Sequence, residues 1–276
     1  MNLLRSPLIV LGGVLVGVLV AAAVMAPLVA PYDPMALAGG SLQAPSRHHL
    51  LGTNNIGQDL FSQIVWGARA SLVVAVTSAV LAVALGAILG TGAGLMGGGV
   101  DAVVMRVIDV FLAVPRLPLL VLVAALAGAN RIGVILVIGL LTWPVVARLV
   151  RSQTLSVRSR GFVDAARGFG GGLGYVMRRH LVPAVGPILV ATFVAIAANA
   201  VLLEASLAFL GLADPTSVSW GLIINRALGH PGLYFTSAWT WWILPAGFAI
   251  TLAVLGFSFL GVGLEPHLNR RAASGS

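Results

Sequence analysis

Six long runs of apolar residues alternate with short polar stretches along the chain. About 20 mostly apolar residues in a helix cross the ~30 Å hydrocarbon layer of a bilayer. Leu8 to Ala30 is uncharged and meets that length. It is too long for a secretory signal core of roughly 7–15 residues and reads as a retained anchor. Pro31 to Ala70 is polar by comparison and rich in turn formers ("PYDP", "GGSLQAPSRHH", "GTNNIGQD"). Ser71 to Met96 is the second span, followed by "GGGVDAVVMR" as a short connection. Val110 to Ala127 is the third, interrupted by "VPRLP", whose prolines kink a helix or delay its start. Ile132 to Ala147, Pro183 to Leu210 and Ala238 to Leu264 complete the six, and the tail "EPHLNRRAASGS" reads as polar and frayed. The predicted fold is therefore all-α and polytopic. Residues 1–70 form an anchor and external loop, 71–265 a core containing a cytoplasmic loop at 148–183, and 266–276 a tail.

Composition agrees with lipid as the main solvent. Of 276 residues 59% are hydrophobic and 9% charged, too apolar a chain to hide its surface in a soluble core. All 16 basic residues are arginine, which codon usage in a GC-rich genome explains. Without lysine there is no GxxxxGK[ST] phosphate loop and no Schiff base, and without cysteine no disulfide, thiolate site or cysteine nucleophile. No HExxH or GxSxG motif appears.

The arginines orient the spans. With the N-terminus inside, Arg5, Arg106, Arg148, Arg151, Arg158, Arg160, Arg167, Arg178, Arg179, Arg270 and Arg271 are cytoplasmic. Arg47, Arg69, Arg131 and Arg226 are outside, and Arg116 opens span three. Eleven against four predicts both termini inside. Carboxylates within the spans are scarce, which disfavours a proton-driven carrier. Glu204 is the exception, four to six residues from the outer end of span five. Two readings stay open for it: a polar group on a translocation path, or a carboxyl hydrogen-bonded between packed helices.

Other features have plainer readings. Trp239, Trp241 and Trp242 at the start of span six suit an aromatic interface belt, with docking of a partner as the sharper alternative. His48 and His49 read as solvated loop residues rather than metal ligands. Gly86, Gly90 and Gly94 give small-xxx-small spacing for close helix packing.

The densest polar signal is "ARLVRSQTLSVRSRGFVDAARGFGGGLGYVMRRHLVP", from Ala147 to Pro183. Its first part continues span four beyond the membrane, and Gly161 is a natural break. "FVDAARGF" suits a short helix, with Asp164 near its positive end and two small, helix-favouring alanines; Gly170 to Gly172 ends it. "YVMRRHLV" restarts a helix. A basic loop held by anionic lipid explains the arginines, but not the order Asp-Ala-Ala, then glycine, then proline.

That order resembles the EAA loop of bacterial binding-protein-dependent ABC importers, E-A-A-x3-G-x9-I-x-L-P. Asp164, Ala165, Ala166, Gly170 and Pro183 fall on its positions, while Asp164, His180 and Val182 replace its glutamate, isoleucine and leucine. Asp164 keeps the charge with a shorter reach, and His180 reads as a helix-end residue. "APLVAPYDP", "LGTNNIGQDLFSQIVWGARASL", "VDAVVMRVIDVFLAVPRLPLL", "LLEASLAFLGL" and "SWGLIINRA" are similar to the C-type permease subunit of dipeptide, oligopeptide and nickel importers, collinearly from about residue 8 to 265. Where that family reads GTDxxGRD, Asn54 and Gln58 stand here, implying that this external segment meets its partners differently.

The resemblance implies a type I importer permease in the bacterial plasma membrane, half of a pore with no catalytic, cofactor or metal site of its own. It implies a homologous B-type permease, two cytoplasmic ATPase subunits carrying the ATP and Mg, and an extracytoplasmic solute-binding protein. Asp164, Ala165, Ala166, Arg167, Gly170 and Pro183 would contact an ATPase, and Glu204 would be the candidate on the path. The missing lysine is then expected, since ATP is bound elsewhere. A stand-alone secondary transporter or channel is the competing reading, and a membrane enzyme the third.

Overall fold

A computed structural model describes residues 6–159, 161 and 172–274. Ten α-helices carry the described chain: α1 Pro7–Val24, α2 Ala26–Val29, α3 Leu60–Met96, α4 Gly98–Ala113, α5 Arg116–Ala127, α6 Arg131–Arg158, α7 Leu173–Val176, α8 Val182–Phe209, α9 Trp220–Leu228 and α10 Ala238–Ser274. A π-helical turn, Met177–Leu181, joins α7 to α8. Among the described residues the one bridge outside the helices pairs Thr53 with Asp59. Five helices are long and apolar enough to cross a membrane, and α4 with α5 makes a sixth crossing if the bent pair counts as one.

Two boundaries differ from the sequence expectation. The second span's helix begins at Leu60, not Ser71. Asp59 caps it, accepting from the Ser62 N–H at 2.7 Å, so the helix starts well before the apolar run, with Leu60, Ser62, Gln63, Val65 and Ala68 buried. The third span is not one kinked helix from Val110. α4 already starts at Gly98, and the chain turns by 93° between α4 and α5. Val114 is extended there and Pro115 supplies no N–H to carry the helix through. The last helix also continues to Ser274 where a frayed tail was expected.

In lipid, large apolar side chains gain little by turning inward, so close packing falls to small residues. Val14, Val18 and Leu28 are 56%, 62% and 83% exposed, whereas Ala75, Ala79 and Ala82 of α3, Ala246 and Ala253 of α10 are fully buried. Gly86, Gly90 and Gly94 line the α3–α6 seam, as their spacing predicts. A Cβ on Gly90 would lie 2.4 Å from the Ala147 carbonyl oxygen, and one on Gly86 2.4 Å from Val146 Cβ. A second seam joins α1 to α10, where a Cβ on Gly12 would meet the Leu260 nitrogen at 2.6 Å. α8 packs between α3 and α10.

Candidate functional site

The loop signal is carried on two arms. α6 runs past the bilayer to Arg158 and ends at Ser159, two residues before Gly161. α7 and the π turn lead back to α8, with Leu181 buried and Pro183 in the first turn of α8. Asp164, Ala165, Ala166, Arg167 and Gly170 lie outside the described residues. Of the expected ATPase contacts, Pro183 alone is placed, on the exposed face where α8 begins.

The α6 arm is braced by arginines that the sequence reading used only for orientation. Arg151 forms a bidentate pair with Asp101 of α4. Arg148 pairs with Asp109, also on α4. Arg158 Nη1 donates to the carbonyls of Gly94 and Leu95 at 3.2 and 3.0 Å, satisfying acceptors that the end of α3 leaves open. Three cations on one helix therefore hold α3 and α4. The partners are some 40 to 60 positions away in sequence, so only the tertiary fold brings them together.

Glu204 is 3% exposed. Ser71 of α3 donates to its Oε2 at 3.0 Å. Ser71 further receives the Trp220 N–H at 3.4 Å. The cavity beside Glu204 is about 10 Å³, barely the room one water needs. In this conformation the carboxyl joins α3, α8 and the start of α9.

A larger groove opens on the cytoplasmic half, between α6, α8 and α10. It measures about 620 Å³ and presents Gln153, Thr192, Ser258 and Glu265 over a floor of small residues such as Ala191 and Ala195. Nothing in the sequence singled it out, because its polar groups come one at a time from three helices.

The outer end is built differently. Asn54 and Gln58, 1% and 5% exposed, bond to each other at 2.8 Å. Gln63 donates to the same Gln58 oxygen at 2.8 Å, and Gln58 Nε2 donates to the Met35 carbonyl. These two residues are thus internal, and their replacement of a family Asp and Arg changes a buried bond, not an exposed docking contact. His49 is not solvated either: its Nδ1 is 2.9 Å from Asp59 Oδ1 and the residue is buried. The tryptophan belt is likewise reduced to Trp239, which is 37% exposed. Trp242 is 1% exposed and packs in the core, and Trp241 lies under Gly52 of the outer loop. Among the described residues no cluster of acidic or histidine side chains has metal-ligand grouping.

An all-helical, multi-pass chain with a braced cytoplasmic arm and a lateral, mostly apolar groove has the architecture of a membrane permease component. The family model described as binding-protein-dependent transport system inner membrane component matches residues 82–274, and that of the N-terminal TM domain of oligopeptide transport permease C matches residues 1–48. A putative peptide permease protein of Brucella suis biovar 1 (strain 1330) is 41% identical over 231 residues, 83% of this chain and 75% of the relative. A probable D,D-dipeptide transport system permease protein of Escherichia coli (strain K12) is 31% identical over 269 residues, 97% and 89% of the two chains. A dipeptide transport system permease protein of Alkalihalophilus pseudofirmus is 34% identical over 235 residues, 84% and 75%. The chain belongs to the family of binding-protein-dependent transport system inner membrane components, and so is a multi-pass permease subunit of the bacterial plasma membrane. Subunits of this kind work with an ATPase and a binding protein.

Proposed function

We propose that the chain forms half of the translocation path of an ATP-driven importer of peptides. The family match across residues 82–274 carries this reading. The relatives' names supply the solute: they are permeases for peptides and dipeptides. A homologous B-type permease completes the pore, two ATPase subunits bind ATP and Mg, and an extracytoplasmic binding protein delivers the peptide. This chain contributes no catalytic group, cofactor site or metal site.

In this scheme Asp164, Ala165, Ala166, Arg167, Gly170 and Pro183 seat in an ATPase cleft. Closure of the ATPase pair pushes the loop, and the push enters the membrane through α6. The arginine braces support that role, since they make α6, α4 and the end of α3 move together as a rigid body. The groove between α6, α8 and α10, with Gln153, Thr192, Ser258 and Glu265 among apolar walls, faces the peptide on its way to the cytoplasm. Glu204 joins the path only in a conformation that parts α8 from α3.

The test is reconstitution. With the second permease, the ATPases and the binding protein in proteoliposomes, dipeptide uptake should require hydrolysable ATP and stop when the ATPase is inactivated. Uptake by this chain alone, indifferent to ATP, would contradict the reading and favour a stand-alone carrier.

A further inference from the structure

The elbow between α4 and α5 holds a charge deep in the membrane. Arg116 opens α5 directly after Pro115. Its Nη2 donates to Thr142 Oγ1 of α6 at 3.0 Å. That hydroxyl donates in turn to the Ile138 carbonyl, which leaves it oriented to accept from the guanidinium. Thr142 lies eleven residues beyond Arg131, where α6 begins. At ~1.5 Å per residue this is about 16 Å into a hydrocarbon layer of ~30 Å.

A guanidinium at that depth is costly and is kept where it pairs or serves function. Among the described residues Arg116 has no acidic partner: Asp109 is taken by Arg148 and Asp101 by Arg151. Its Nε is buried with no hydrogen-bond partner at all. The N-terminal end of α5 adds positive potential at the same place. The elbow is also open on this chain, with Val114 and Leu117 42% and 57% exposed. Beside it lies a crevice of about 570 Å³ with apolar walls from Phe111, Val114, Leu119, Val123 and Leu140.

We propose that Arg116 receives a carboxylate of the transported solute while an apolar group of the same molecule occupies the crevice. This rests on the import reading above and deepens it: the favoured cargo is a peptide with a free carboxylate and an apolar side chain. Lipid phosphates do not reach this depth. The other source of a carboxylate is the second permease, and the experiment separates the two.

The probe is alanyl-leucine, taken up by the complete reconstituted transporter. Arg116→Gln should lower uptake about tenfold, the loss of one charge-assisted bond, and Arg116→Lys should stay within about threefold of wild type. The chain has no cysteine, so Arg116→Cys adds its single thiol. Modification of that thiol by a cationic methanethiosulfonate should restore uptake, modification by an anionic one should not, and excess dipeptide should slow both. Equal uptake by wild type and Arg116→Gln, or labelling unaffected by dipeptide, would overturn the inference and leave the import reading standing. Loss of the second permease from purified Arg116→Gln transporter would assign the guanidinium to that subunit's carboxylate and likewise overturn it. A wild type that imports no peptide would remove the import reading itself, and this inference with it.

Discussion

The two ends of the helix bundle are held by opposite chemistry. At the outer end, neutral amides and one histidine–aspartate pair are buried: Asn54, Gln58, Gln63, His49 and Asp59 are each 5% exposed or less. At the inner end, arginines and aspartates meet within reach of solvent, Arg151 and Asp101 with side chains 26% and 20% exposed and Arg148 with Asp109 about half exposed. A buried hydrogen-bond network has one satisfied arrangement and loses much if it opens. Hydrated ion pairs fix geometry while adding little to stability, and salt screens them. The outer end is thus a platform held by buried bonds, and the inner end a set of helices clamped by pairs that solvent and salt can reach.

The largest expected effect comes from breaking the platform. Asp59→Ala removes the cap of α3 and leaves His49 and the Ser62 hydroxyl without their partner, a loss of about 4 kcal/mol. Thermal unfolding of the purified protein in detergent should show it, and an unchanged midpoint would contradict the platform. Next is Asn54→Asp. The new carboxylate faces Gln58 Oε1, and the amide cannot flip without losing Gln63 and the Met35 carbonyl, so about 3 kcal/mol should go. Adding Gln58→Arg should recover most of it, a coupling that a double-mutant cycle reads directly.

On the inner side the effects on stability are smaller. Arg151→Gln should cost about 1 kcal/mol or less, yet it should depress import, because the arm then moves without α4. High salt should reproduce part of that loss while leaving the outer end unaffected, since screening acts on exposed charges. The smallest effect concerns Asp214, in the external loop. The Thr216 hydroxyl and N–H at 2.6 and 2.9 Å hold its carboxyl below the usual carboxylate range, with help from Arg131. A depressed folded value means that its contribution is fully present above the unfolded pKa of about 3.9 and fades only as pH falls toward the lower folded value. Replacing Asp214 by Asn should therefore alter stability slightly at pH 7 and not at all at the most acidic end of a titration.

The same contrast explains what could be read in the chain. Spans one, four, five and six were legible because an apolar run needs no tertiary partner to be recognised. The first turns of α3, residues 60–70, were not, because Gln63 and Arg69 break the run, although Asp59 three residues before Ser62 is a readable cap. "VPRLP" announced an interruption, but not a turn of 93°, beside which Phe111 meets Trp143 edge to face and Asp109 pairs with Arg148. The inner arginines told which side they occupy and nothing of what they hold. Asn54 and Gln58 looked like two separate departures from a family pattern, and only their contact shows them to be one coordinated change. The order Asp164, Ala165, Ala166, Gly170, Pro183 carried the resemblance by itself, and all of these but Pro183 lie outside the described residues.

The central claim is that the loop between α6 and α8 joins this permease to an ATPase, and one substitution tests it most directly. Ala165→Arg puts bulk and charge where a partner is proposed to pack closely. Membrane insertion and pairing with the second permease should be unchanged, while the ATPase no longer co-purifies and ATP-driven dipeptide uptake is lost. Normal ATPase recovery together with normal uptake would contradict the claim.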